Sequence, residues 1–150
     1  MIDATRDAIR CALRQEFPIE VVSHIHLQQM PVDFVRPAFY MQLMPWHPQQ
    51  IASCLRSYPT TWQLVYFPLE DDAGNADITD LHSKAMTLEE LFGCTTYLTS
   101  PDGTVFHLDD FICEIRDGLL YCTIRLQAVR IKEEPASTPM GDADIALLPK

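Results

Sequence analysis

The sequence predicts an α+β fold: a mixed, mostly antiparallel sheet packed by two helices, with an extended C-terminal tail. Three observations point to it. Apolar residues recur at helical spacing in two separate stretches, one at the N-terminus and one between Asp77 and Phe92. Between and after these stretches lie β-branched and aromatic runs with period-two alternation, each closed by proline, glycine or aspartate. The last two runs flank Asp117-Gly118, and Asp-Gly between alternating runs marks a two-residue hairpin because both residues readily take positive φ.

Taken in order, residues 3–16 read as a helix with Asp3 as N-cap and Ile9, Leu13 and Phe17 on one face. Pro18 stops it, and Ile19 to Ile25 is a β-branched strand candidate. Ala38 to Met44 follows as a strand apolar on nearly both faces. Pro45, Pro48 and Pro59 then mark a loop with one helical turn near Gln50 to Leu55, before a strand from Thr60 to Phe67. Glu70 to Asp77 is a polar surface loop. The helix from Asp77 to Phe92 carries Ile78, Leu81, Ala85, Leu88 and Leu91 on one face, with Asp77 as its cap and Gly93 in the C′ position.

Thr95 to Thr99 and Thr104 to Leu108 flank Ser100-Pro101-Asp102-Gly103, a type I turn signature. In the final hairpin the two-residue loop sets the register: Arg116 opposite Leu119, Ile115 opposite Leu120, Glu114 opposite Tyr121 and Cys113 opposite Cys122. The second arm runs past the first, which predicts an unpaired strand end suited to pairing with a neighbour. Its alternation slips between Leu126 and Val129, so a bulge or an edge is expected there. Residues 1–131 therefore read as one domain, and 132–150, without periodicity, as an extended tail.

Composition narrows the function classes. The 150 residues, 47% hydrophobic and 21% charged, are ordinary globular material long enough for one core. A formal net charge of −10 opposes specific nucleic-acid binding, which needs clustered Lys and Arg, and keeps a protomer soluble before assembly. No apolar run reaches the ~18–20 residues of a membrane span. Charges spread through the first seventeen residues are unlike the apolar core of a signal peptide, so a cytosolic origin is expected. Five scattered cysteines fit reduced thiols better than a disulfide framework.

Nothing spells out catalysis. The five glycines lie at turns, a helix end or the tail, and none makes a phosphate-cradling loop or a nucleophile elbow. His24 and His26 share one strand face and so place two imidazoles together, but no third metal ligand stands near in sequence. Two surface histidines are the simpler account. Asp71-Asp72 and Asp109-Asp110, flanked by turn residues, read as solvated loop carboxylates. Cys113 and Cys122 fall at a non-hydrogen-bonded pair with Cβ atoms roughly 4.5–5.5 Å apart, close to disulfide range. In a reducing cytosol they read as small apolar residues filling a core layer. Trp62 belongs to the core, and Trp46 in its proline-rich loop suits an interface. No cofactor and no metal site is expected.

In order and spacing these segments resemble the phage tail terminator-like proteins of tailed phages and prophages of Gram-positive bacteria. The resemblance rests on a helix closing on Glu16-Phe17-Pro18, a strand entered by Pro37 and a strand ending Tyr66-Phe67-Pro68. It continues through the helix Asp77 to Phe92, the hairpin from Asp109 to Leu126 and a charged tail beginning at Lys132. It implies a structural, non-enzymatic virion protein of the tail or neck, assembled in the host bacterial cytoplasm. Such proteins form a ring, typically six-fold, at the head-proximal end of the tail, where they stop tube polymerisation and join the tail to the head connector. The implied partners are further copies of the chain, the tail-tube protein, a connector or neck protein, and the sheath in a contractile tail. Candidate subunit contacts are Trp46 and His47, then Leu126, Val129 and Ile131 on the last strand, and Ile145, Leu147 and Leu148 in the tail. A head-completion subunit of the neck, and a small enzyme or ligand-binding domain built around His24, His26, His107 or Asp109, are the alternatives.

Overall fold

The computed structural model describes residues 2–45, 49–52 and 55–131. Helix α1 spans Ile2–Glu16 and buries Thr5, Ala8, Ile9 and Leu13. It starts before Asp3, so Asp3 is a first-turn residue rather than the expected cap. There its carboxylate suits the helix dipole and pairs with Arg6 at 3.1 Å. Residues 19–21 form a turn closed by bonds from Val21 N and Val22 N to Pro18 O, at 2.9 and 3.0 Å. Strand β1 is therefore only His24–Leu27, shorter than the predicted Ile19 to Ile25. The Arg14 guanidinium holds this corner by donating to Val22 O at 2.5 Å and Ser23 O at 3.3 Å.

Strand β2 (Ala38–Leu43) pairs parallel with β1 and antiparallel with β4 (Leu55–Phe67). It is buried on one face more than on two. Phe39 and Met41 are fully buried, whereas Gln42 is exposed and Tyr40 reaches out to donate to Gln28 O at 3.2 Å. In place of the predicted loop and helical turn, β3 (Gln49–Ala52) pairs antiparallel with the first residues of β4. Pro59 lies inside β4, which sequence punctuation had placed in a loop. Thr61 O accepts from Met44 N at 2.9 Å, so Pro59, two residues earlier, turns its nitrogen to that same side of β4. That position falls between the pairings of β2 and β3, where a missing N–H breaks no ladder bond.

Helix α2 (Ile78–Leu88) starts as predicted, with the Asp77 carboxylate accepting from Asp80 N at 3.2 Å. It then widens into a π turn, Glu89–Gly93, instead of ending on a left-handed Gly93. The Thr95 hydroxyl donates to Leu91 O at 2.7 Å, taking over part of the C-terminal capping. The turn keeps Phe92 buried against Phe111, with ring centroids 5.5 Å apart.

Strand β5 (Tyr97–Thr99) and β6 (Val105–Arg116) flank the Ser100–Gly103 turn, closed by Gly103 N donating to Ser100 O at 2.9 Å. Strand β6 is continuous, joining two runs that the sequence suggested were separate. The expected bulge lies on β6 rather than on the last strand: Leu108 faces Leu126, Asp110 faces Arg125, and Asp109 is the extra residue. This resets the phase, so Phe106 and Leu108 point inward before it and Phe111 and Cys113 after it. Strand β7 (Leu119–Ile131) keeps an even alternation, with Leu120, Cys122, Ile124, Leu126 and Ala128 buried. The Asp117-Gly118 turn has φ of 54° and 74°, and all four predicted hairpin pairs are present.

The sheet order is β1-β2-β4-β7-β6-β5, with β3 beside β4 and every pair but β1–β2 antiparallel. The α+β class is thus as the sequence predicts. The predicted overhang of the last strand holds on one side only: residues 128–131 run past the last pairing with β6, at Gln127, but Val129 and Ile131 pair with Ser57 and Leu55 on β4. Trp62 and Tyr66, four residues apart on β4, share one sheet face. The Trp62 indole donates to Thr5 Oγ1 at 2.9 Å and the Tyr66 hydroxyl to Asp80 Oδ2 at 2.6 Å. Both helices therefore cover the same face.

Because Ile124 sits fully buried on the central strand, Ile124→Ala should lower unfolding free energy by about 2–5 kcal/mol. Urea titration would register this as a lower midpoint with an unchanged slope.

Candidate functional site

The candidate sites among the described residues are the two ends of the sheet and the cysteine hairpin. Among the described residues no three His, Cys, Asp or Glu side chains converge as a metal would require. Asp71 serves its own loop, accepting from Asn75 N at 2.8 Å and Ala73 N at 2.9 Å, and the Asn75 bond first among these holds its carboxyl low. Asp109 pairs with His107 at 2.6 Å, and Asp110 lies 4.0 Å from Arg125.

At one end of the sheet, β1 turns His24 and His26 to the same side with rings parallel and centroids 5.4 Å apart. His26 meets the edge of Phe34, which packs on Phe67, and the Arg36 guanidinium lies over both of these rings at 5.1 and 5.4 Å. Arg36 is fixed in turn by Pro68 O at 3.2 Å and Glu70 at 3.5 Å. Buried within this cluster, His26 Nε2 has no hydrogen-bond partner among the described residues. Burial first, then the neighbouring His24, depresses the His26 pKa below its ordinary 6.5. Ile19 and Val21 stand exposed beside this edge.

The opposite end is β5, with Tyr97 exposed by 60% and Val105 by 55% across the pair. Tyr97, Val105, His107, Gln127 and Ala128 line an open groove of about 380 Å³. The Ser100–Gly103 turn is stiffened by Asp102, which accepts from the Ser100 hydroxyl and from Thr104 N; these bonds bring its pKa down to about 2. Sequence inspection passed over this groove. Its signal was an apolar Val105 at the outward phase of an alternating strand.

The sequence-derived contact residues fare differently. Leu126 is fully buried in the protomer's own core, because even positions of β7 point inward, so its side chain offers no surface to a neighbour. Val129 and Ile131 lie on β7, where their backbones pair with β4. Trp46, His47, Ile145, Leu147 and Leu148 lie outside the described residues. Cys113 and Cys122 face each other as predicted, with Sγ atoms 3.0 Å apart.

A model of the phage tail terminator protein family matches residues 5–138, taking in most of α1 and every described element after it. The chain belongs to the phage tail terminator family. The family is one of structural tail proteins, which makes this chain a virion component that associates with other tail or neck proteins. No curated protein gives a match. One solved structure covers 87% of this chain and 97% of its own length at 14% identity and a TM-score of 0.40, a distant likeness.

The depressed His26 pKa has a consequence with a definite sign. Below the ordinary 6.5 the unfolded chain binds this proton while the folded tail terminator resists it, so stability falls as pH drops through that window. Denaturation between about pH 7.5 and pH 5 should show this loss, and His26→Gln should flatten the slope. Equal slopes in both proteins would remove His26 as its source.

Proposed function

We propose that the chain closes into a ring of six at the head-proximal end of the tail. There it stops tube polymerisation and joins the tail to the head connector. Family membership supplies the setting. The observation that carries the ring is a sheet whose two ends differ. A closed ring uses heterologous contacts, so each protomer must present two unlike but complementary patches.

Edge β1, with Ile19 and Val21 beside it, is one patch; edge β5, with Tyr97 and Val105, is the other. Each edge strand keeps one side unpaired within the sheet among the described residues and can bond main chain to main chain with a neighbour. Further contacts come from Trp46, His47, Val129 and Ile131. Residues 132–150 act as a strap: the stretch from Pro135 to Asp144 spans to the neighbour, and Ile145, Leu147 and Leu148 dock on it. The axial faces of the ring meet the tube protein on one side and a connector or neck protein on the other, with the sheath as an added partner in a contractile tail. The structural role requires no chemistry.

Mass measurement in solution, with and without the tail-tube protein, tests this directly. The expected species is a discrete closed oligomer, weakened by Tyr97→Asp and by deletion of 132–150, with the unfolding midpoint of the protomer unchanged in both variants. A strict monomer that joins neither tube nor connector would sink the ring.

A further inference from the structure

We propose that Cys113 and Cys122 form a thiol–disulfide exchange site, which a small-molecule disulfide such as oxidised glutathione converts into a staple across the β6–β7 hairpin. Geometry carries this. The two residues are direct partners in the ladder, and their Sγ atoms stand 3.0 Å apart. Counting from the closing Arg116–Leu119 pair, they occupy a non-hydrogen-bonded position, the kind that brings facing side chains closest. Bond formation needs the sulfurs to approach by about 1 Å, within reach of small side-chain rotations.

The two thiols are also unequal. Cys113 is half-buried and Cys122 is buried. The contact between the two sulfurs favours the Cys113 thiolate, while the same contact, and then burial, push the Cys122 thiol up. Cys113 is thus the entry point and Cys122 the resolving thiol.

In the first step Cys113 gives up its proton and its thiolate attacks one sulfur of oxidised glutathione. The small molecule's S–S bond breaks, and one glutathione leaves as a thiolate that takes up that proton. In the second step the Cys122 sulfur attacks Cys113 of the mixed disulfide and expels the other glutathione, which receives the Cys122 proton. Two protein thiols are oxidised and one glutathione disulfide is reduced to two thiols.

The timing of this step rests on the tail-component role. A protomer folded among reduced thiols keeps the pair open, and a released particle meets oxidants that close it. The staple ties β6 to the central strand just below the π turn, where Phe111 packs on Phe92.

The test equilibrates the full chain with excess oxidised glutathione under native conditions, then acid-quenches, alkylates and weighs it. A variant with Cys11, Cys54 and Cys94 replaced by serine is treated alongside. The serine variant should lose two alkylatable thiols and about 2 Da with no glutathione retained, while the full chain also takes up glutathione at exposed Cys94. In the serine variant, Cys122→Ser should instead trap glutathione on Cys113, adding about 305 Da. The oxidised serine variant should melt about 5–10 °C above its reduced form. Full retention of free thiols, a lasting adduct on Cys113 beside an intact Cys122, or an unchanged melting midpoint would each overturn the site. These readouts use the isolated chain, so their failure leaves the tail assignment standing.

Discussion

The structure depends on the two-sided pairing of β7. Its residues 120–131 pair with β4 on one side and residues 119–127 with β6 on the other, and its even positions form the middle of the core. Remove this strand and the sheet falls into two parts: β1-β2-β4 with β3, and β5-β6. Without β7 the helices lose the buried side chains at the middle of the apolar layer they cover. Trp62 anchors α1 and Tyr66 anchors α2, yet both are held in phase by a β4 whose partner along most of its length is β7.

Elements ruled by local chemistry were legible in the sequence. The Asp117-Gly118 turn dictated its register because the backbone of a two-residue loop permits one pairing. The Asp77 cap and the apolar face from Leu81 to Phe92 announced α2. What was hidden is long-range. Nothing local in residues 55–66 says that they pair with 120–131, so the end of the long second arm looked wholly unpaired. Pro45, Pro48 and Pro59 suggested a loop because a proline's tolerance depends on which side of the strand its nitrogen faces, and that is known only once the partners are placed. The bulge was readable, but at a different place. Phe106 and Leu108 are followed by Phe111 and Cys113, a three-residue step across Asp109-Asp110, whereas the apparent slip near Val129 reflects no break in the inward series that ends at Ala128.

The candidate site divides the same way. The cysteine pair follows from hairpin register, so it could be named in advance. The edges could not, because being an edge is a property of the whole sheet order. Once β7 moves to the centre, Leu126 leaves the list of candidate contacts, and the proposed ring rests on β1 and β5 instead. A protomer built in this way separates its tasks. The middle strands hold the fold, while Val21 before β1, Tyr97 on β5 and Val105 at the start of β6 stay exposed near the two ends of the sheet.

Amide hydrogen exchange resolved along the chain tests the central role of β7 most directly. The account predicts that amides from Leu120 to Ala128 exchange slowest, at the rate of global unfolding, with β1 and β5 opening well before them. Exchange in β7 as fast as in β5 would contradict it, for the strand would then be an extension rather than the centre.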